Sequence, residues 1–381
     1  MKITEQFLSG TSLTNWCRLL WENRLRVGWR YLPRALYVTL AALVMLPFSL
    51  YERIRFSRKI RRTRIERPPI FILGHWRSGT TYLHVLMAQD RNLAYASNLQ
   101  AILPQVFLGS AKVFAGSVRR FLPEKRWMDD FRLTPHLPSE EEFAIANLCP
   151  YSMYHSLPFP QNRHHYARYC TMEGVPEHII DEWKAVLLSL LRKLTYAAQG
   201  RRLLLKNPTH TARVRHLLEL FPEAKFVHIY RNPYDVFAST ANMYDKMFPS
   251  FYLQDPGVDP KEYILDIYAR MFDSYFRDKD LIPAGNLVEV RYEDFVRDPL
   301  TQLERIYAAL SLSGFQEARG AFVSYIEAQS EFRPNEHELS EGLRQEVNVR
   351  WRTTLERWGY LGGASTRATH GRYKGKTPSA Y

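Results

Sequence analysis

The sequence predicts an α/β fold, a parallel sheet covered by helices on both faces, preceded by a helical, basic and apolar N-terminal segment. Three observations predict it. From residue 68 onward, short apolar runs of strand length alternate with stretches of helical periodicity, and such alternation builds parallel sheets buried on both sides. The first run, "PPIFILG", passes through a glycine-rich turn, "GHWRSGTT", straight into a helical stretch. The chain has 381 residues and is 46% hydrophobic, enough for a large core.

The N-terminal segment comes first. From Met1 to Arg67 it carries fourteen Lys/Arg and four Asp/Glu, a net of +10 out of +13 for the whole chain. That distribution argues against a nucleic-acid enzyme, whose charge lines the folded domain. It suits anionic lipid headgroups. The stretch "ALYVTLAALVMLPFSLY", Ala35 to Tyr51, holds seventeen residues and no charge, the short edge of spanning length. Pro47 weakens or kinks it. Arg24, Arg26, Arg30 and Arg34 precede it, as do Trp16, Trp21 and Trp29, and eight Lys/Arg follow between Arg53 and Arg67. The apolar run starts too late for a cleaved signal peptide. Three arrangements fit: a single span, a half-inserted hairpin bent at Pro47, or a buried helix of the globular domain. Contact with a membrane surface is expected, with the domain on the cytoplasmic side because the more basic flank stays there. Cys17, Cys149 and Cys170 are scattered, which predicts inert packing thiols in a reducing compartment.

The later elements follow in order. "TYLHVLMAQD" is helical after the glycine turn. Residues 98–160 are rich in prolines and aromatics with weak periodicity, the pattern of long loops and short helices over a substrate. Glu177 to Ala198 is an amphipathic helix. "RRLLLKNP" is a second strand, "TARVRHLLELF" a helix, "AKFVHIYRNP" a third strand, "YDVFASTANMY" a helix, and "NLVEVRYEDF" a fourth strand. "LTQLERIYAAL" and "LRQEVNVRWRTTLERWG" are helices. The tail is polar and glycine-rich and predicts a loose end. The expected organisation is therefore an N-terminal segment over 1–67, a domain over 68–360 and a tail over 361–381.

The glycine turn carries the first chemical signal. Gly74 to Thr81 fits G-x-x-x-x-G-K-[ST] except that Thr80 replaces the lysine. A turn between strand and helix aims backbone N–H groups at an anion, and the helix dipole adds to the field. Ser78, Thr80 and Thr81 add hydroxyls, and Arg77 adds a planar cationic fork. Nucleotide hydrolases with such a loop keep an acid at a strand end to hold magnesium. No predicted strand here has that apolar-run-plus-Asp ending. The run "FVHIY" leads instead into Arg231, and Ser239 lies eight residues on, in a helix with Pro233 at its first turn. Arg231 and Ser239 can bind a second phosphate; alternatively Arg231 pairs with Asp235 and Ser239 faces solvent. Two anion sites and no metal site predict a nucleotide with two separate phosphate groups.

Lys206 follows an apolar strand at the carboxyl edge of the sheet, where ligands of open α/β folds bind. It can stabilise charge on a leaving phosphate, and His210 is close by in sequence. Glu140, Glu141 and Glu142 follow Ser139, and Ser139 with Glu142 matches the capping-box pattern. Adjacent carboxylates also raise one another's pKa toward that of a working base. Glu140, Glu141, Glu142 and His210 all stand as candidates for that base.

These residues resemble the sulfotransferases that use 3′-phosphoadenosine 5′-phosphosulfate (PAPS). The likeness rests on "FILGHWRSGTTYLHVL", "LLLKNPTH…FPEAKFVHIYRNPYDVFAST", "VRYEDFVRDP" and "RWRTTLERWGY", in order from Pro69 to Tyr360. It is most specific in the pair of anion loops, R-S-G-T-T and R-x-P-x-D-x-x-x-S, and is similar to bacterial-type members in the "GHWRSGTT" spelling. The resemblance implies the P-loop-like sulfotransferase fold and PAPS as co-substrate, with no metal. It implies that Arg77, Ser78, Gly79, Thr80 and Thr81 hold the 5′-phosphosulfate. Arg231 and Ser239 would hold the 3′-phosphate, and Lys206 would sit near the transferring group. Several members use a glutamate a few residues before an aromatic as base, and Glu140, three before Phe143, fits that placement. Others use a histidine, and many carry lysine where Arg77 stands. The expected catalytic set is Glu140, Lys206 and Arg77. The expected acceptor is a hydroxyl or amine of a small molecule or lipid near a membrane, with no nucleic-acid partner. A P-loop kinase using ATP and a non-catalytic membrane-surface scaffold are the alternatives.

Overall fold

The computed structural model describes residues 5–111, 113–114, 116, 134–257, 259–329 and 339–361. Five strands, β1 (Ile70–Leu73), β2 (Leu93–Ala94), β3 (Arg202–Lys206), β4 (Lys225–Tyr230) and β5 (Leu287–Arg291), pair in the order β2-β3-β1-β4-β5. Every pairing is parallel, and β1 sits at the centre with Ile72 opposite Lys206 on one side and Val227 on the other.

The chain runs through α1 (Leu13–Glu22), α2 (Leu32–Arg62), α3 (Thr80–Met87), α4 (Asn98–Ile102) and α5 (Glu141–Leu148). It continues through α6 (Arg163–Thr171), α7 (Glu177–Ala197), α8 (Val214–Leu220), α9 (Pro233–Lys246) and α10 (Lys261–Asp278). After β5 come α11 (Tyr292–Arg297), α12 (Pro299–Ala309), α13 (Phe315–Ala328), α14 (Glu341–Arg350) and α15 (Arg352–Arg357).

The two-residue period of a strand sends alternate side chains to opposite faces. Phe71, Leu73, Leu205 and Phe226 enter one core with Trp183 and Leu187 of α7 and Tyr268 and Phe272 of α10. Ile70, Ile72, Leu204 and Val227 enter the other with Leu83 and Leu86 of α3, Ile306 of α12 and Phe322 of α13. The sheet is covered on both faces, as its continuous apolar strands require.

Some boundaries differ from the sequence reading. The fourth expected strand stops at Arg291, and "YEDF" opens α11 instead; Glu293 and Asp294 in its first turn suit a helix N-terminus. "TARVRHLLELF" begins in a 3₁₀ turn, Pro208–Ala212. The last helical stretch divides at Trp351, whose indole stacks on Tyr268 at 3.6 Å and donates to Leu265 O. Strand β2 was missed because two edge residues carry no periodicity.

Residues 5–62 join the same body. Phe7 and Leu8 are buried, Asn147 of α5 donates to Phe7 O at 3.1 Å, and Asn15 donates to Ala146 O at 2.9 Å. Helix α2 runs for 31 residues with Pro47 inside it, so the hairpin bent at Pro47 is not formed. Its inner face places Arg34, Val38, Ala42, Met45 and Glu52 against the domain. Arg34 donates to Tyr252 O at 2.6 Å and Pro249 O at 3.3 Å. Glu52 pairs with Lys193 of α7 and accepts from Leu108 N and Gly109 N at 3.0 and 2.7 Å. Two expected membrane flanks are therefore interior groups: Arg34, and Trp16, whose buried indole donates to Thr39. Cys149 and Cys170 are buried, whereas Cys17 is exposed rather than a packing thiol. The tail beyond Leu361 and residues 117–133 of the loop-rich section lie outside the described residues.

Candidate active site

Helical connections leave β1 toward β2 on one side of the sheet and β4 toward β5 on the other. A crevice opens at the carboxyl ends of two strands where the winding direction changes in this way. The glycine turn follows β1, and the Arg231 segment follows β4, so both expected anion sites face that crevice.

The turn is shaped by two glycines that no other residue could replace without movement. Gly74 has φ +139°, and a Cβ there would lie 2.4 Å from Ile229 O. Gly79, with φ +95°, caps α3, and its Cβ would lie 2.3 Å from the Tyr292 ring. Between them Arg77 has φ +68°, a left-handed conformation that costs a side-chain-bearing residue energy and concentrates at functional sites. Ser78 Oγ donates to His75 O at 2.7 Å, and Gly74 N donates to Thr211 Oγ1 at 2.8 Å. Thr80 and Thr81 form the first turn of α3.

The second segment meets the first directly. Arg77 Nε donates to Ser239 Oγ at 2.8 Å, and Arg231 Nη1 donates to Arg77 O at 3.2 Å. Arg231 lies over the Tyr292 ring at 4.7 Å, and its Nη2 is 3.4 Å from Asp235. The Asp235 pairing weighed as an alternative is thus present, but Ser239 is buried and does not face solvent. Arg231 Nε is buried with no hydrogen-bond partner among the described residues, a spare donor inside a cationic cradle.

Lys206 ends β3. Its Nζ pairs with Glu140 and lies 3.4 Å from Thr81 Oγ1, while its main-chain N donates to Glu141 Oε2 at 3.2 Å. The other Glu140 oxygen accepts from the Tyr154 hydroxyl, which accepts in turn from Trp76 Nε1 at 3.0 Å. Burial, reinforced by Glu140, pushes the Tyr154 hydroxyl well above 10. It therefore stays a donor.

The three glutamates have three different environments. Helix α5 begins at Glu141 with Glu140 as its N-cap and no side-chain cap, so the Ser139–Glu142 capping box does not form. Ser139 N donates to Ala96 O instead. Glu142 turns inward to the buried Arg213 at 2.9 Å and accepts from Asn207, Thr209 and Ser152. A buried guanidinium demands a carboxylate, and that demand overrides the local cap. Burial alone would raise the Glu142 carboxyl, but Arg213 and the Asn207 amide outweigh it and hold the group at about 2. Glu141 is buried, 3.1 Å from His210 Nε2. His210 is itself fully buried, between Phe71 and Trp183.

Of the four base candidates, Glu140 lines a cavity beside the glycine turn and the other three do not. This cavity, about 540 Å³, also touches Arg77, Thr80, Thr81 and Lys206. Its other walls are largely apolar. Residues 98–160 contribute Phe143 and Leu157, residues 243–259 contribute Met247 and Phe251, and α2 contributes Leu40 and Val44. Sequence reasoning missed Tyr154, Tyr292 and the α2 wall. Tyr154 sits in an aromatic-rich run with no diagnostic spacing, Tyr292 lies in "VRYEDFVRDP" without a role read for its ring, and the α2 residues read only as a membrane stretch. Chemically the arrangement offers an anion cradle, a lysine between that cradle and a carboxylate, and an apolar chamber beside the carboxylate.

The sequence profile of the sulfotransferase family matches residues 68–317. Over 354 residues the chain is 32% identical to the omega-hydroxy-beta-dihydromenaquinone-9 sulfotransferases Stf3 of Mycobacterium bovis and Mycobacterium tuberculosis, covering 92% of this chain and 90% of theirs. Among solved structures it is similar to sulfotransferase STF9 from Mycobacterium avium, with a TM-score of 0.66 and 17% identity over 91% of this chain and 96% of that one. It is also similar to sulfotransferase STF1 from Mycobacterium tuberculosis, with a TM-score of 0.63 and 18% identity over 89% and 92%. At these identities the structural likeness speaks for the fold, while the family profile and the relatives speak for the chemistry. The chain belongs to the sulfotransferase family, and it is a sulfotransferase.

Proposed function

We propose that this sulfotransferase draws its sulfuryl group from PAPS and transfers it to a hydroxyl of an apolar lipid at the cytoplasmic face of a membrane. The observation that carries this reading is the Glu140–Lys206 pair, set between the glycine turn and a largely apolar chamber. The turn, with Arg77, Ser78, Gly79, Thr80 and Thr81, takes the 5′-phosphosulfate. Arg231 and Ser239 take the 3′-phosphate, and the spare Arg231 Nε fits a further anionic oxygen.

Glu140 is assigned as the base. The acceptor oxygen attacks sulfur in line, its proton passes to Glu140, and the bond from sulfur to the bridging oxygen breaks with its electron pair going to the nucleotide phosphate. Lys206, in reach of both Glu140 and Thr81, meets the charge that develops on that oxygen. The relatives above are named for a hydroxylated dihydromenaquinone, and the apolar walls of the cavity support an acceptor of that general kind for this chain.

Radiolabelled PAPS incubated with the full-length protein and membrane extract is expected to label a lipid. Transfer to no lipid would overturn the acceptor assignment. Calorimetry is expected to give tighter binding of 3′,5′-diphosphoadenosine than of ATP–Mg²⁺, and the reverse order would overturn the donor.

A further inference from the structure

We infer that α2 lies flat in the headgroup region of an anionic leaflet and forms the side door of the acceptor cavity, so that a lipid enters from the leaflet without crossing water. The inference rests on the lipid-acceptor reading above and assigns that reading a route.

The inner face of α2 is committed to the domain from Arg34 to Glu52, roughly 27 Å of helix at 1.5 Å per residue. Pulling the helix away to span a bilayer would strip the buried Arg34 of its two carbonyl partners and Lys193 of Glu52. Uncompensated buried charges are strongly destabilising. The helix therefore stays docked.

Its outer face is apolar and, among the described residues, uncovered. Leu36, Leu43, Leu46, Leu50 and Ile54 are each between 46% and 75% exposed. They recur at helical spacing, and such a stripe on the surface marks a docking face.

Charge identifies the occupant. Arg24, Arg26 and Arg30 are exposed before the stripe, and all eight Lys/Arg from Arg53 to Arg67 are exposed at its far end. Trp21 and Trp29 are 78% and 83% exposed beside the first group. Aromatic rings and basic side chains around an apolar stripe match the interface of an anionic leaflet. A second copy of the chain would bring the same positive charges against these.

The same helix walls the cavity. Tyr37, Leu40, Ala41, Val44 and Met45 line it, and Leu40 and Val44 are also 53% and 58% exposed. The cavity lining is thus continuous with the outer stripe. A hydrocarbon chain leaving the leaflet here stays in apolar surroundings and avoids the cost of exposing its CH₂ groups to water.

The test uses the full-length protein, sealed vesicles of phosphatidylcholine and phosphatidylglycerol in equal parts, and the variant Leu36→Gln/Leu43→Gln/Leu50→Gln. The three leucines touch neither the cavity nor the anion sites. The wild type is expected to float with the vesicles, to exchange onto fresh ones, and to lose this binding in phosphatidylcholine alone. The variant is expected to bind roughly tenfold more weakly or worse, given the apolar area lost. Its thermal shift with 3′,5′-diphosphoadenosine should be unchanged, which reports an intact fold. Variant binding equal to wild type, or a wild type that does not float, overturns the inference. Failure to exchange indicates a span and overturns it too. So does a wild-type dimer, by light scattering, that the variant converts to monomer. Flotation does not depend on sulfuryl transfer, so loss of lipid labelling with flotation intact strikes the acceptor assignment instead.

Discussion

Glu140 and Lys206 illustrate how much depends on partners distant in sequence. Glu140 is one of three consecutive glutamates, and what separates them is who meets each: Lys206 and Tyr154, the β3 main chain, or Arg213. The pattern Ser139–Glu142 spelled a helix cap, and the buried Arg213, 71 residues away, took Glu142 for itself. Glu140→Gln is expected to lower kcat by about 10²–10⁴-fold, the range for loss of a general base, with unchanged affinity for 3′,5′-diphosphoadenosine. Single-turnover rates check this, and an undiminished rate would move the base elsewhere. Lys206 sits between Glu140 and Thr81, whereas Arg77 reaches away to Ser239. Lys206→Ala should therefore cost kcat about 10²-fold at equal donor affinity. Arg77→Ala should show mainly as weaker donor binding. Equal kcat losses at equal affinity would contradict this division.

At the scale of elements, the glycine turn and helix α5 carry the sharpest constraints. In Gly79→Ala a Cβ meets the Tyr292 ring at 2.3 Å on a backbone with φ +95°. The strain alone costs about 1–3 kcal/mol, and the clash adds to it. Denaturant titration should show Gly79→Ala/Tyr292→Ala recovering the clash and retaining the strain. Helix α5 is held by the Glu142–Arg213 pair, with the Glu142 carboxyl at about 2 against its ordinary 4.5. A depressed carboxyl gives stability that is complete above the unfolded value and is lost as pH falls from 4.5 toward 2. The amount is on the order of 3 kcal/mol. Glu142→Gln should unfold at lower denaturant concentration near neutrality and show a flatter pH dependence across that window. The turn could be read from the sequence because its whole signal lies within eight residues. The α5 pair could not, because its two halves come from separate elements.

For the whole molecule, the N-terminal segment is a structural part of the enzyme as well as its most basic region. Glu52 reaches across to Lys193 and to the main chain at Leu108 and Gly109. Removing it with Glu52→Ala leaves the buried Lys193 ammonium with the Pro104 carbonyl but no counter-charge, at a cost of about 3–5 kcal/mol. The loss should appear as a lower unfolding midpoint together with a raised KM for a lipid acceptor, because α2 walls the cavity. Donor affinity should hold, since the residues proposed to bind the donor lie on the segments that follow β1 and β4. Saturation with 3′,5′-diphosphoadenosine at a hundredfold excess over Kd should stabilise the native state by about 2.7 kcal/mol, and ATP–Mg²⁺ at the same concentration by less.

The sequence by itself determined the alternation of strands and helices, the glycine turn without its lysine, the arginine and serine after β4, and the basic, apolar character of residues 1–67. Each of these is written in contiguous residues, where periodicity and spacing act directly. Only the tertiary structure decided which glutamate meets the cavity, that Arg77 and Ser239 touch, that Arg34 and Trp16 are interior, and that one apolar helix serves both the core and an exposed face. Those outcomes depend on which buried charge finds a partner and which face finds a neighbour, and elements far apart in the chain supply both.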